Sequence, residues 1–201
     1  MLNDWWIRDD PSKNIGVLIA KGVSDSVGTL ELYRADESNP GSYTFDKKIA
    51  INKAKPSDHK GYLSREKRLK YMETAVVGKI DLVTLDSFAE SHGWFESRPS
   101  IGFCKIDVEG FELKVLQGAK KLLESRLVEL LAMEMKSKMT KGDKVMIVNA
   151  ICNAGYDLHM DGGWMGPDKL VTKKYTKCEE MVDDILRNMY RENLMFRLRQ
   201  D

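Results

Sequence analysis

Residues 101–123 read IGFCKIDVEGFELKVLQGAKKLL, and the reading of this stretch decides the fold class. Ile101 to Ile106 is a mostly apolar run of strand length, the kind buried in a parallel sheet. It ends in an acidic turn at Asp107, Glu109 and Gly110. Leu113, Leu116, Ala119 and Leu123 then recur at helical spacing, which predicts one helix running to about Arg126. The order is strand, turn, helix. In open α/β sheets ligands bind outside the carboxyl ends of the strands, and both acids fall at such an end. Two carboxylates there can orient a hydroxyl, accept its proton or hold a metal.

Upstream, Ile15 to Ala20 (IGVLIA) reads as a second buried strand, with Lys21 to Asp25 as its exit loop. Thr29 to Tyr33 alternates Leu30 and Leu32 with Thr29 and Glu31, so one face is wet and the strand is antiparallel or at an edge. Lys79 to Asp86 is a further strand, followed by a helix over Ser87 to His92 with Asp86-Ser87 as its N-cap. Downstream, Leu127 to Met135 is a strand carrying Glu134 near its carboxyl end. Lys144 to Ala154 has a helical pattern closed by Gly155, and Tyr156 to Met160 is a short strand. Glu179 to Glu192 reads as a helix and Leu194 to Leu198 as the last strand. Residues 1–14 form a polar leader and 36–75 an irregular insertion. The basic cluster in that insertion, Lys60, Arg65, Lys67, Arg68 and Lys70, reads as a solvated loop or short helix. Strands separated by helices give an α/β fold, in a single domain over residues 1–201.

With 31% charged and 42% hydrophobic residues the chain is an ordinary globular one, and a net charge of +1 gives no support to a nucleic-acid or anionic-membrane partner. Cys104, Cys152 and Cys178 are odd in number and lack a CxxC pair, which predicts neither a zinc ribbon nor a disulfide framework. Cys104 reads as a small core residue, and a reducing compartment fits this usage. The sequence names no compartment, and the cytoplasm is the default expectation where neither a signal peptide nor a membrane span is read. No apolar run reaches membrane-spanning length, and Met1 to Lys13 has no apolar signal core. Asp157, His159 and Asp161 share one face of a strand, for which a wet face is the simpler account than a metal site.

The run KIDVEGFELKVLQGA, Lys105 to Ala119, resembles the FkbM family of S-adenosylmethionine-dependent methyltransferases. Companion segments agree in the same order: GVSDSVGTLELY from Gly22 to Tyr33, VTLDSF from Val83 to Phe88, the strand ending in Glu134, Gly155-Tyr156, and the terminal NLMFRLR strand. The resemblance implies an incomplete Rossmann-like class I methyltransferase sheet, mostly parallel, with an antiparallel hairpin and a C-terminal edge strand. The family's glycine-rich D-x-G-A-N-x-G loop and the acidic end of its second strand have no counterpart here, and residues 1–14 hold no glycine. The expected chain is therefore an N-terminally truncated member. On that expectation Ile101 to Ile106 lacks the ladder of the family's first strand.

The resemblance further implies S-adenosylmethionine as cofactor and a hydroxyl on a sugar, glycan or small metabolite as acceptor. Asp107 is the first choice to orient or deprotonate that hydroxyl, and Glu134 ends the neighbouring strand on the same cleft. Glu109 shares the task or serves as an acid at a helix start, favourable to the macrodipole. Ser24 and Asp25 are placed beside the adenine by the resemblance, an ordinary turn being the alternative. Two other readings stay open at this point. One is a non-catalytic remnant or interaction module without cofactor; the other is a metal-dependent hydrolase on Asp107 and Glu109, for which no histidine pattern lies nearby.

Overall fold

The computed structural model describes residues 19–34, 43–45, 76–108, 110–135, 139–160, 171–188 and 193–200. The leader, most of the 36–75 insertion with its basic cluster, Glu109 and Asp161 lie outside the described residues. Of the strand expected at Ile15 to Ala20, only Ile19 and Ala20 are described, and neither is in a strand.

Among the described residues the strands form two sheets. The first has the order β1-β4-β2-β3, from Gly22–Val23 (β1), Gly28–Arg34 (β2), Tyr43–Thr44 (β3) and Val76–Val83 (β4). β1 runs parallel to β4, whereas β2 pairs antiparallel with both β3 and β4. The chain thus forms β1 at Gly22, inside the expected exit loop. A Cβ at Gly22 would stand 2.6 Å from the Leu82 side chain, so the missing side chain lets β1 close on β4.

The second sheet has the order β5-β6-β9-β7-β8, from Ile101–Ile106 (β5), Val128–Glu134 (β6), Tyr156–Met160 (β7), Val171–Lys173 (β8) and Asn193–Leu198 (β9). Among the described residues of this sheet only β5 and β6 pair in parallel; the β6/β9, β7/β9 and β7/β8 ladders are antiparallel. The expected mostly parallel sheet is therefore a mixed one. The last strand is interior rather than an edge, because it pairs with β6 on one side and β7 on the other, and Leu194 and Phe196 are buried. Among the described residues β5 is the terminal strand, in line with the expected missing ladder, and Gly102, Phe103 and Lys105 are exposed where the apolar pattern predicts burial.

Among the described residues the helices are α1 (Leu85–Ser91), α2 (Trp94–Ser97), α3 (Glu112–Gln117), α4 (Lys120–Glu124), α5 (Lys141–Asn153) and α6 (Cys178–Asn188). The single helix expected after the acidic turn is broken at Gly118-Ala119 into α3 and α4. The cause is tertiary. A Cβ at Gly118 would lie 2.2 Å from the Ser24 carbonyl oxygen and 3.1 Å from the Thr84 Cβ. The Gly118 carbonyl accepts from the Asp86 N–H, and the Asp86 carboxylate accepts from Lys121 N at 3.0 Å and Leu122 N at 2.8 Å. Asp86 thus caps α4, not its own helix. The N-cap of α1 is Thr84, in a capping box with Ser87. Lys121 completes the junction with an ion pair to Glu90 and a position over the Phe95 ring.

α5 and α6 pack over the second sheet around Ile147, Ile151, Met181 and Ile185. Gly155, at φ +94°, ends α5 as expected, because an L side chain rarely tolerates that backbone. Cys152 and Cys178 are joined in a disulfide, contrary to the reading from cysteine count. The fold brings the end of α5 to the start of α6, with Cα atoms 5.6 Å apart. Asp157 and His159 are buried, not a wet face; Arg199 donates to the Asp157 carboxylate at 2.9 Å.

Two outcomes test this packing. Gly118→Ala should lower the unfolding free energy by about 1–3 kcal/mol, read from the urea midpoint, since backbone rather than a flexible side chain meets the new methyl. Tyr156 donates its phenol to the Val128 carbonyl at 2.8 Å, and burial pushes its pKa up to about 12. A folded pKa above the unfolded value of about 10 means stability is full below pH ~10 and falls as pH rises toward 12. Tyr156→Phe should lose about 1 kcal/mol at pH 7 and show a flatter fall in alkali.

Candidate active site

The parallel pair β5 and β6 sets the site. Its register matches Lys105 with Ala132 and Ile106 with Met133, so Lys105, Asp107 and Glu134 lie on one side of the pleat at the carboxyl ends. Lys105 Nζ donates to Asp107 Oδ2 at 2.9 Å, with both side chains substantially exposed. The Asp107 bond holds the Lys105 ammonium above its ordinary range, and Glu134 adds to the same field. Asp107 and Glu134 thus stand at the carboxyl ends of two paired strands, with Lys105 bonded to Asp107.

Ser24 and Asp25 sit at the carboxyl end of β1, where Ser24 N–H donates to the Val83 carbonyl at 3.0 Å. Ser24 is buried, and its hydroxyl donates to Asp25 Oδ1 at 2.9 Å. That bond lowers the Asp25 pKa, and the nearby Lys114 ammonium lowers it further. Lys114 belongs to α3 and also lies 5.1 Å from the Phe111 ring centroid. The β1 end thus faces α3, the helix that starts from the acidic turn.

Glu112 was not among the residues singled out from the sequence. It opens α3, is fully buried, and one carboxyl oxygen, Oε1, accepts from the Gly110 N–H at 3.1 Å. Among the described residues its other oxygen, Oε2, has no hydrogen-bond partner. Gly110 adopts φ +105°, so the turn that bends the chain from β5 into α3 also delivers its amide to this carboxyl. The sequence did hold a signal. Glu112, Val115, Leu116 and Ala119 share one helical stripe, all buried, and a glutamate at its head stands where an apolar residue belongs.

A family model, the methyltransferase FkbM domain, matches residues 9–189. The chain belongs to the FkbM methyltransferase family. No curated protein and no solved structure matches it. Among the described residues of this methyltransferase domain, no cluster of His, Cys, Asp and Glu could hold a metal, and no helix is long and apolar enough to cross a membrane. The match covers the β5–α3 turn and both acid-bearing strand ends, so the residues described above are part of the family domain.

A buried carboxyl oxygen without a partner destabilises a fold by about 1–3 kcal/mol. Glu112→Leu, which completes the apolar stripe of α3, should therefore raise the urea midpoint of the ligand-free protein. A drop of the midpoint would mean that the bond to Gly110 outweighs the unpartnered oxygen.

Proposed function

We propose that the domain methylates a hydroxyl oxygen of a sugar, glycan or other small metabolite, with S-adenosylmethionine as donor, at the carboxyl ends of β5 and β6. The observation that carries this reading is the orphaned Glu112 Oε2 beside the turn that presents Asp107, next to Glu134. Buried acceptors without partners and clustered acids suit a ligand that brings cationic groups and hydroxyl donors. On this reading the two sheets are parts of one Rossmann-like class I domain over residues 1–201, and the reversed β9 between β6 and β7 is in keeping with such a sheet.

The acids present fit an adenosyl sulfonium cofactor in charge and in hydrogen-bonding sense. Ser24 and Asp25 would hold its adenosine side, with Asp25 kept ionised by the Ser24 hydroxyl. When bound, the cofactor supplies an electrophilic methyl group. The chain supplies position and a base. Asp107 accepts a hydrogen bond from the acceptor hydroxyl and takes its proton as the oxygen attacks, a contribution of typically 10²–10⁴-fold. Lys105 stabilises the Asp107 carboxylate that waits for that proton. Glu134 orients the acceptor from the neighbouring strand, and holding both reactants in line is worth about 7–11 kcal/mol. Glu109, whose position lies outside the described residues, is assigned a share in the same orienting task.

Isothermal titration with S-adenosylmethionine and its demethylated product tests the cofactor, with micromolar binding expected and none sinking the reading. Asp107→Asn should bind the cofactor as the parent does, yet lose about 10²–10⁴-fold in transfer of labelled methyl to a panel of glycosides. An unchanged rate would remove Asp107 as the base.

A further inference from the structure

The Cys152–Cys178 disulfide has no part in the chemistry above, and its two sulfurs have unlike surroundings. Cys152 lies in the last turn of α5 and is 1% exposed, whereas Cys178 opens α6 and is partly exposed. Arg199, which follows β9, places Nη2 3.2 Å from Cys152 Sγ. The same guanidinium donates to the Tyr156 carbonyl at 3.2 Å and to Asp157 Oδ1 at 2.9 Å, so its position is held from two sides. The bond spans a sequence separation of 26 that contains β7 and β8, and it ties α5 to α6 over the second sheet.

We propose that this disulfide is an exchangeable redox clamp with a built-in polarity: a dithiol attacks Cys178, and Cys152 leaves as a thiolate held by Arg199. Attack requires access, which only Cys178 offers, and departure is faster from the sulfur whose thiolate is better stabilised. In the first step a reagent thiolate forms a bond to Cys178 Sγ while the disulfide electron pair departs on Cys152 Sγ. In the second step the reagent's other thiolate displaces Cys178. The dithiol is oxidised to a disulfide, the two cysteines gain two electrons, and protons from solvent complete the thiols. Closure is the reverse, driven by a disulfide oxidant such as oxidised glutathione. Cys104 stays out of the exchange: it sits in β5, outside the two helices that the bond joins, and burial raises its thiol pKa.

The clamp predicts a stabilised oxidised form. Loop closure of this length acts mainly on the unfolded chain, so reduction should lower the melting temperature by roughly 5–15 °C. The test begins with the full chain equilibrated in a glutathione buffer near the potential of oxidising compartments, then unfolded and alkylated. Intact mass should show one alkylated cysteine, and peptide mapping should join Cys152 to Cys178. Three alkylated cysteines would overturn the proposal. Brief treatment with reduced glutathione and acid quenching should then trap the mixed disulfide on Cys178; trapping on Cys152 would overturn the polarity. Arg199→Leu should slow opening by dithiothreitol several-fold, and Arg199→Lys should restore most of the rate. Equal rates in all three proteins would overturn the role of Arg199. Should Arg199→Leu fail to fold, the trapping position and the Arg199→Lys rate decide.

Discussion

The close approach of Gly118 to the Ser24 carbonyl is the contact on which the rest of the structure depends. Here the first sheet meets the helices that follow β5, and no room exists for a single methyl group. The approach breaks the helix, and the break exposes amide groups at the start of α4 that Asp86 then satisfies. A helix end left without such partners would be costly. One short contact therefore sets the position of Ser24 and Asp25 relative to α3, and with it the distance between the β1 end and the β5 turn.

The site inherits its character from two edges. β5 ends its sheet, so the acidic turn stands open on one side and Lys105 and Asp107 are exposed. α3 buries the other side, where Glu112 keeps one oxygen bonded to Gly110 and the other unpartnered. An open rim with a buried acceptor behind it is a reasonable arrangement for a small hydroxylated ligand, since rim charges orient and buried groups discriminate. The disulfide sits across the second sheet from this rim and acts on the stability of the helical layer rather than on the acids.

Much of the architecture was legible in the chain. The strands at Leu127–Met135 and Tyr156–Met160, the helix ended by Gly155 and the antiparallel β2 all follow from apolar period and turn residues. The pairing of the strands that carry Asp107 and Glu134 is parallel, and adjacent parallel strands bring their carboxyl ends to one rim. Glu112 lies on the same stripe as Val115, Leu116 and Ala119, but that its carboxyl is buried there follows only from the packing of α3. The cysteine pairing was hidden for a related reason: a sequence separation of 26 carries no distance until α5 and α6 dock.

What the sequence determined by itself was local: the periods of strand and helix, the acidic turn, the glycines at 110 and 155, and the run that marks the family. These depend on neighbours along the chain, where backbone geometry leaves few choices. Only the tertiary structure decided that one helix becomes two, that Asp86 caps its neighbour, that the last strand lies inside its sheet, and that Cys152 meets Cys178. Each is a contact between segments far apart in sequence, and such contacts are settled by steric fit and by partners for buried polar groups, which no local pattern encodes.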